Sequence, residues 1–252
     1  MTDTRALAAA VKDHLGALGG AFMISREAKA YGEAAGLTLW TPYMRGRCGV
    51  LGEVDADVVA SAVGFFPPGV VRASWEAGAS LPAEEAARRY AGVCDAFGRR
   101  KFAGLPAADA DRLAGLLEAV AAEADVIGAP LFAGWRAMPP PEDPLARVSR
   151  FAHVLRELRG GLHLVAVLSC GLTPLESVLT GASILIPSGD GNARYFGWPE
   201  PYAEPDDDTR KRRADAEELT DTLVAPAFGG LSEADADEFV ALLGKAAKVA
   251  FG

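Results

Sequence analysis

Cysteine, histidine, strand signals and long apolar runs are all scarce in this 252-residue chain, and each shortage closes off a class of protein. The three cysteines, Cys48, Cys94 and Cys170, include no CxxC pair, so no disulfide frame is expected and a reducing cytoplasm suits them. The three histidines, His14, His153 and His163, include no pair four residues apart, and no metal site is expected. No stretch reaches the roughly eighteen uncharged apolar residues of a membrane span. The amino terminus MTDTRALAAAVKDHLGAL mixes charges into its apolar pattern, unlike a signal peptide. Strand signals are confined to SILIP (183–187) and ARYF (193–196), joined by the turn-prone SGDGN as a small hairpin or wing. Within that turn GDGN has the glycines of a phosphate loop but no lysine after them, and no cofactor is expected.

Basic residues are outnumbered as well. Lys and Arg total 25 against 34 Asp and Glu, a formal net charge of −9, so the mean field repels phosphate backbones. One basic run exists, Arg210 to Arg213, and it directly follows Asp206 to Asp208. Acids ahead of and inside a first helical turn suit the positive end of the helix dipole, which leaves the bases on a solvated face. DNA is therefore not an expected partner, and neither is a membrane.

What the chain does contain is apolar periodicity and repetition. Half of its residues are hydrophobic. Sliding the sequence by 126 positions aligns residues 93–121 with 219–247 without a gap: FAGLPAADADRLAGLL at 102–117 becomes FGGLSEADADEFVALL at 228–243. Shared Asp, Phe, Gly-Leu and Leu-Leu positions in one register point to a tandem duplication. Leu113, Leu116, Leu117 and Val120 recur at helical spacing, as do Phe239, Leu242, Leu243 and Ala246. Pro106 and Ser232 mark the two helix starts, with Asp235 placed to complete a capping box. A weaker echo relates 43–63 to 162–182; each reads as a helix, a glycine stop (Gly52 or Gly171) and a second helix opened by Asp55 or by Thr173 with Pro174. AMPPPEDP at 137–144 is the one clear linker. The expected organisation is mainly α with few short strands, as two related domains at 1–136 and 145–252.

Several stretches together resemble an actinobacterial family of helix-turn-helix, MarR-like winged-helix proteins: RCGVLG (47–52), RGGLHL (159–164), GLTPLES (171–177), GWPE (197–200) and ELTDTLVAPAFGGL (218–231). They span most of the chain, and Arg47, Arg159 with His163, Glu176 and Trp198 occupy the family's recurring positions. The sequence departs where Phe65 stands in place of a family Asn, and in the acidic, proline-rich PEPYAEPDDD (199–208). The resemblance implies a fold. MarR-like proteins are ordinarily homodimers with small-molecule pockets near the dimer interface, so a fused duplicate resembles such a dimer made within one chain, an intrachain pseudo-dimer.

Four groups of residues stand out as site candidates. His163 follows the loosening pair Gly160 and Gly161 and lies thirteen residues before Glu176 across a turn; facing one another they would make a general-base pair, the alternative being a hydrogen-bonded core histidine. Arg47 can present a bidentate guanidinium to an anion, or pair internally with Glu53 or Asp55. Cys170, on an apolar helix, reads as a small buried hydrophobe. Aromatics gather in LWTPY (39–43), GFFPPG (64–69) and YFGWPEPY (195–202); taken jointly, Tyr43, Phe65, Phe66 and Trp198 suit the wall of a pocket. The leading expectation is a cytoplasmic binder of a small organic ligand, an anion being the form Arg47 suits, held between the halves by Arg47, His163, Glu176 and these aromatics. A second is an enzyme using His163 and Glu176 as acid and base with Arg47 as anion anchor. A third is a MarR-type DNA-binding regulator, against which the second helices, DADVVASAV and TPLESVLTG, offer no Lys or Arg. Whether the whole chain self-associates as a homodimer is left open.

Overall fold

Short polar side chains place most of the helix starts. Asp3, Ser25, Asp55, Asp143, Thr173, Ser188, Asp206 and Ser232 each accept a backbone N–H from the first turn of the helix that begins one residue later, which satisfies a donor the helix itself cannot. The computed structural model describes residues 3–181, 186 and 188–252, and no strand occurs among the described residues. Before the proline-rich connector lie α1 (Thr4–Gly20), α2 (Arg26–Ala35), α3 (Thr41–Cys48), α4 (Ala56–Val63), α5 (Pro68–Ala77), α6 (Ala83–Lys101), α7 (Ala107–Glu123) and α8 (Pro130–Ala137). After it come α9 (Pro144–Ser169), α10 (Pro174–Thr180), α11 (Gly189–Phe196), α12 (Asp207–Val224) and α13 (Glu233–Phe251).

The expected hairpin needs correction. ARYF is the last turn of α11, and SGDGN, read as a turn between strands, is that helix's cap and first turn, with Ser188 Oγ accepting from Gly191 N at 3.1 Å. Of SILIP, residues 183–185 and 187 lie outside the described residues. A serine cap followed by Asp190 at the positive helix end outweighs the turn preference of two glycines. The other local signals hold: Ser232 and Asp235 form a capping box, and the stripes Leu113/Leu116/Leu117/Val120 and Phe239/Leu242/Leu243/Ala246 are buried. The acidic run caps and opens α12, while Lys211, Arg212 and Arg213 pair with Asp215, Asp208 and Glu217. Cys170 ends α9 half-buried, less enclosed than expected of a core thiol.

Both helix-turn-helix outlines are present, α3 to α4 and α9 to α10. Gly52 (φ 81°) and Gly171 (φ 72°) turn the chain in the left-handed region that glycine alone enters without strain. In each outline the second helix packs on the one after it, α4 on α5 and α10 on α11. The 26-residue α9, about 39 Å long at 1.5 Å per residue, is the axis of the molecule and packs against α1, α6, α7, α8 and α12. One hydrophobic core runs continuously from Leu7 in α1 to Ala250 in α13. By length and apolarity Thr4–Ala35 could cross a bilayer; the Ser25 cap divides it into α1 and α2, and Leu7, Val11, Leu15, Leu18 and Phe22 face the core.

The repeated ADAD stretch lies where α7 and α13 meet. Arg112 Nε donates to Glu238 Oε2 at 2.7 Å and its Nη2 reaches Asp235, while Lys245 bonds Asp109. The helices begin 126 positions apart, at Ala107 and Glu233. α7 lies on α9, and α13 lies on α1.

Candidate functional site

The aromatic clusters scattered through the sequence converge. Trp40 meets Tyr43, Phe66 and Tyr195 at ring-centre distances of 5.5, 4.9 and 5.0 Å, and Phe66 meets Phe196 at 4.6 Å. These rings stand at the start of α3, in the α4–α5 turn and on α11, elements far apart in sequence that the ring contacts join. They wall a cavity of about 1390 Å³ whose lining comes from both sides of the 138–143 connector and includes Arg47 and His163. Tyr43, Phe65 and Phe66 line it as well. Trp198 stands behind the wall, its indole N–H donating to the Phe65 carbonyl at 3.0 Å.

Arg47 sits at one end, and each nitrogen of its guanidinium has a partner. Nε and Nη2 grip Glu157 at 2.9 and 2.7 Å, and Nη1 donates to the Tyr43 hydroxyl at 2.7 Å. Neither of the partners expected from sequence is used, because Arg45 takes Glu53 at 2.5 Å while stacked 4.3 Å over Trp75. Burial opposes the charge on both members of the Arg47–Glu157 pair, and the partner outweighs it: Arg47 is raised and Glu157, also facing His153 and Arg156, is held down at about 2. Glu157 accepts a further bond from Arg156 Nη1 at 3.1 Å. His153 donates from Nδ1 to the Gly19 carbonyl at 3.1 Å; burial holds its pKa near 3, so the ring is neutral.

His163 sits at the other end, and its tautomer follows from the geometry. The Thr220 hydroxyl spends its proton on the Ala216 carbonyl at 2.6 Å, so toward His163 Nδ1, 2.8 Å away, it can only accept. Burial, with Arg213 adding to it against the pull of Glu217, lowers the imidazole to about 4. The neutral ring thus carries its proton on Nδ1 and keeps a bare lone pair on Nε2, 3.9 Å from Glu217 Oε1. Glu217 is held at about 2 against its own burial by Arg213 and His163. Arg159 bridges Glu217 at 2.7 Å and Asp221 at 2.6 Å. Phe65 lays its ring 5.6 Å from that of His163.

Glu176 does not join them. Its carboxylate accepts from the Thr173 N–H at 2.7 Å and hydroxyl at 2.8 Å, closing the capping box of α10 beside Arg212. The His163–Glu176 pair expected across the turn is not formed; the cap draws the carboxylate back to its own helix start, and Thr220 takes the imidazole. Sequence reasoning missed Arg156, Glu157, Thr220 and Glu217. Arg156 carried a legible signal, since RELRGGLH puts Arg156, Gly160 and His163 on one helical face, at i, i+4 and i+7. No group of three or more His, Cys, Asp or Glu among the described residues is arranged to hold a metal ion.

Comparison with curated proteins and with solved structures returns no match. The helical architecture, two helix–glycine turn–helix outlines included, agrees with the one comparison that does: residues 8–251 match the model of a helix-turn-helix family, and the chain belongs to that family.

Proposed function

We propose that the protein binds a small organic ligand in the aromatic-walled cavity of a duplicated, MarR-like helix-turn-helix scaffold whose two repeats, 1–136 and 145–252, form a pseudo-dimer within one chain. The observation that carries the ligand reading is the cavity itself, where three aromatic stretches, Arg47 and His163 meet in a space ample for a drug-sized molecule. The pseudo-dimer is supported by the contact of Arg112 with Glu238, since these positions are 126 apart and a residue near a two-fold axis touches its own counterpart. The crossed packing of α7 on α9 and α13 on α1 supports it too. Buried, unpaired Cys48 and Cys94 suit a reducing cytoplasm.

Membership of a helix-turn-helix family favours a second reading, a MarR-type regulator on DNA. Against it, α4 (ADVVASAV) and α10 (PLESVLT) carry no Lys or Arg, and Arg194 of α11 is paired with Glu200. The enzyme reading keeps His163 as a base but loses Glu176 as its partner.

The test uses a neutral, environment-sensitive naphthalene dye, 6-propionyl-2-dimethylaminonaphthalene. It is expected to bind saturably at one site per chain, with its binding weakened by Gly160→Phe, because a Cβ on Gly160 meets no atom within 4 Å and a ring there takes up space between Arg156 and His163. Absence of saturable binding, or equal binding by the filled variant with unchanged circular dichroism, overturns the ligand reading. A mobility shift on mixed-sequence duplex at physiological salt would favour the regulator instead.

A further inference from the structure

The two ends of the cavity differ in the hydrogen-bonding groups they leave free. At the His163 end three cations, Arg159, Arg213 and Lys12, pair with two carboxylates, Glu217 and Asp221. That end holds two acceptors, the bare Nε2 lone pair and the Glu217 carboxylate beside it, and one buried donor, Arg213 Nε. At the other end two guanidiniums share the single carboxylate of Glu157. Arg47 spends its Nε, Nη1 and Nη2 on Glu157 and Tyr43, whereas Arg156 gives Glu157 one bond from Nη1 and is half-buried against Gly20, its other nitrogens making no hydrogen bond among the described residues. One positive charge is left over, and it belongs to Arg156 rather than to Arg47.

The two ends are set in register by α9. Arg156 and His163 are seven residues apart, two turns and about 10 Å along one face. Gly160 lies between them on that face with open space where a side chain would stand, while a Cβ on Gly161 would meet Ala129 Cα at 2.7 Å. The adjacent glycines therefore differ: Gly161 admits the neighbouring backbone, and Gly160 leaves a bare strip of helix as cavity floor. Trp40, Tyr43, Phe66 and Phe196 line the same cavity and pack against one another.

Resting on the ligand reading above, we propose that the natural ligand is an aromatic anion bearing a hydrogen-bond donor at its far end. Its anionic group meets Arg156, its ring system crosses Gly160 beneath the aromatic wall, and its hydroxyl or amine donates to His163 Nε2. A guanidinium with free donors in a partly dry site selects an anion. A neutral imidazole whose Nδ1 proton is pinned by Thr220 can only accept at Nε2, so the imidazole selects a donor.

Three probes of one size test this by calorimetry on the full chain: 6-hydroxy-2-naphthoate, 2-naphthoate and 2-naphthol. The hydroxynaphthoate is expected to bind about tenfold or more tightly than either single-function analogue, as the loss of a charge-assisted or well-formed buried hydrogen bond implies. Arg156→Met is expected to erase its advantage over 2-naphthol and leave its advantage over 2-naphthoate. His163→Phe is expected to do the reverse. The comparison of probes on the unaltered protein needs no variant to fold. Affinities within about twofold of one another would overturn the proposed polarity while the cavity reading, tested with the neutral dye, stands. A carboxylate preference that survives Arg156→Met would overturn the assignment of the anion to Arg156. Saturable dye binding with no binding of any naphthoate or naphthol would overturn the ligand class alone, and failure of the dye as well would remove the cavity reading beneath it.

Discussion

The two polar clusters on α9 are built from the same kinds of residue and end in opposite states. Around Glu157, two arginines, a tyrosine hydroxyl and a neutral histidine enclose one carboxylate, and Arg47 and Glu157 are 10% and 1% exposed. Around His163, two arginines and two carboxylates surround an imidazole, with Glu217 one-third exposed. The first cluster ties α3 to α9 from within; the second ties α9 to α12 at the edge of the cavity and keeps an acceptor in reserve. The contrast shows that an arginine and a histidine chosen by residue type alone can differ completely in availability. Arg47 is a structural brace with a partner for each nitrogen, and His163 presents an open valence.

The sharpest way to break this contrast is to remove one carboxylate from each cluster. Glu157→Ala strands Arg47 in the core and is expected to cost about 3–5 kcal/mol, whereas Glu217→Ala, at a partly solvated site, should cost about 1 kcal/mol or less; urea unfolding of both variants measures the difference. Equal losses would mean that the clusters do not differ as described.

Acid titration separates the histidines from the carboxylates. His153 and His163 have pKa values lowered to about 3 and about 4 in the fold against 6.5 when free. Between pH 6.5 and pH 4 the unfolded chain therefore binds more protons than the folded one, and stability falls as pH falls, by up to about 1.4 kcal/mol per pH unit for each histidine. Glu157 and Glu217, held near 2, lose their contributions only as pH falls below about 4.5. His163→Asn is thus expected to flatten the profile of melting temperature against pH above pH 4.5 and to leave the lower limb in place.

Smaller effects test the floor between the clusters. Gly161→Ala drives a Cβ into the Ala129 backbone and should cost about 1–3 kcal/mol. Its neighbour Gly160→Ala meets nothing and should stabilise α9 by up to about 1 kcal/mol through helix propensity. Opposite signs in thermal unfolding would confirm that one glycine packs and the other opens. Thr173→Ala should likewise cost only about 1 kcal/mol, from the α10 cap; it should release Glu176 without altering ligand binding, because Glu176 serves the cap.

Local chemistry made much of the fold legible in sequence. Ser232 with Asp235, Asp55, and Thr173 with Pro174 announced helix starts because a capping oxygen and an orphan N–H lie within a few residues of one another. The glycines at 52 and 171 announced turns because only they enter positive φ freely. The stripes on α7 and α13 announced buried faces through their period. ARYF misled because a four-residue run of β-compatible side chains holds less information than the Ser188 cap ahead of it.

The candidate site was legible only in its composition. That aromatic residues, an arginine and a histidine would gather was readable from their clustering. Their pairing was not, since every decisive partner lies far along the chain: Glu157 is 110 residues from Arg47, and Thr220 is 57 from His163. Which carboxylate neutralises which guanidinium, and which ring nitrogen keeps its lone pair, depends on ångström-scale distances set by the packing of α3 on α6 and of α6 and α12 on α9. The sequence by itself determined the helices, their caps and the faces they bury, because those interactions close within one or two turns. Tertiary structure alone decided that Arg47 is spent, that Glu176 belongs to its cap, and that Arg156 and His163 are left to face the cavity, because burial and charge compensation are properties of the assembled core.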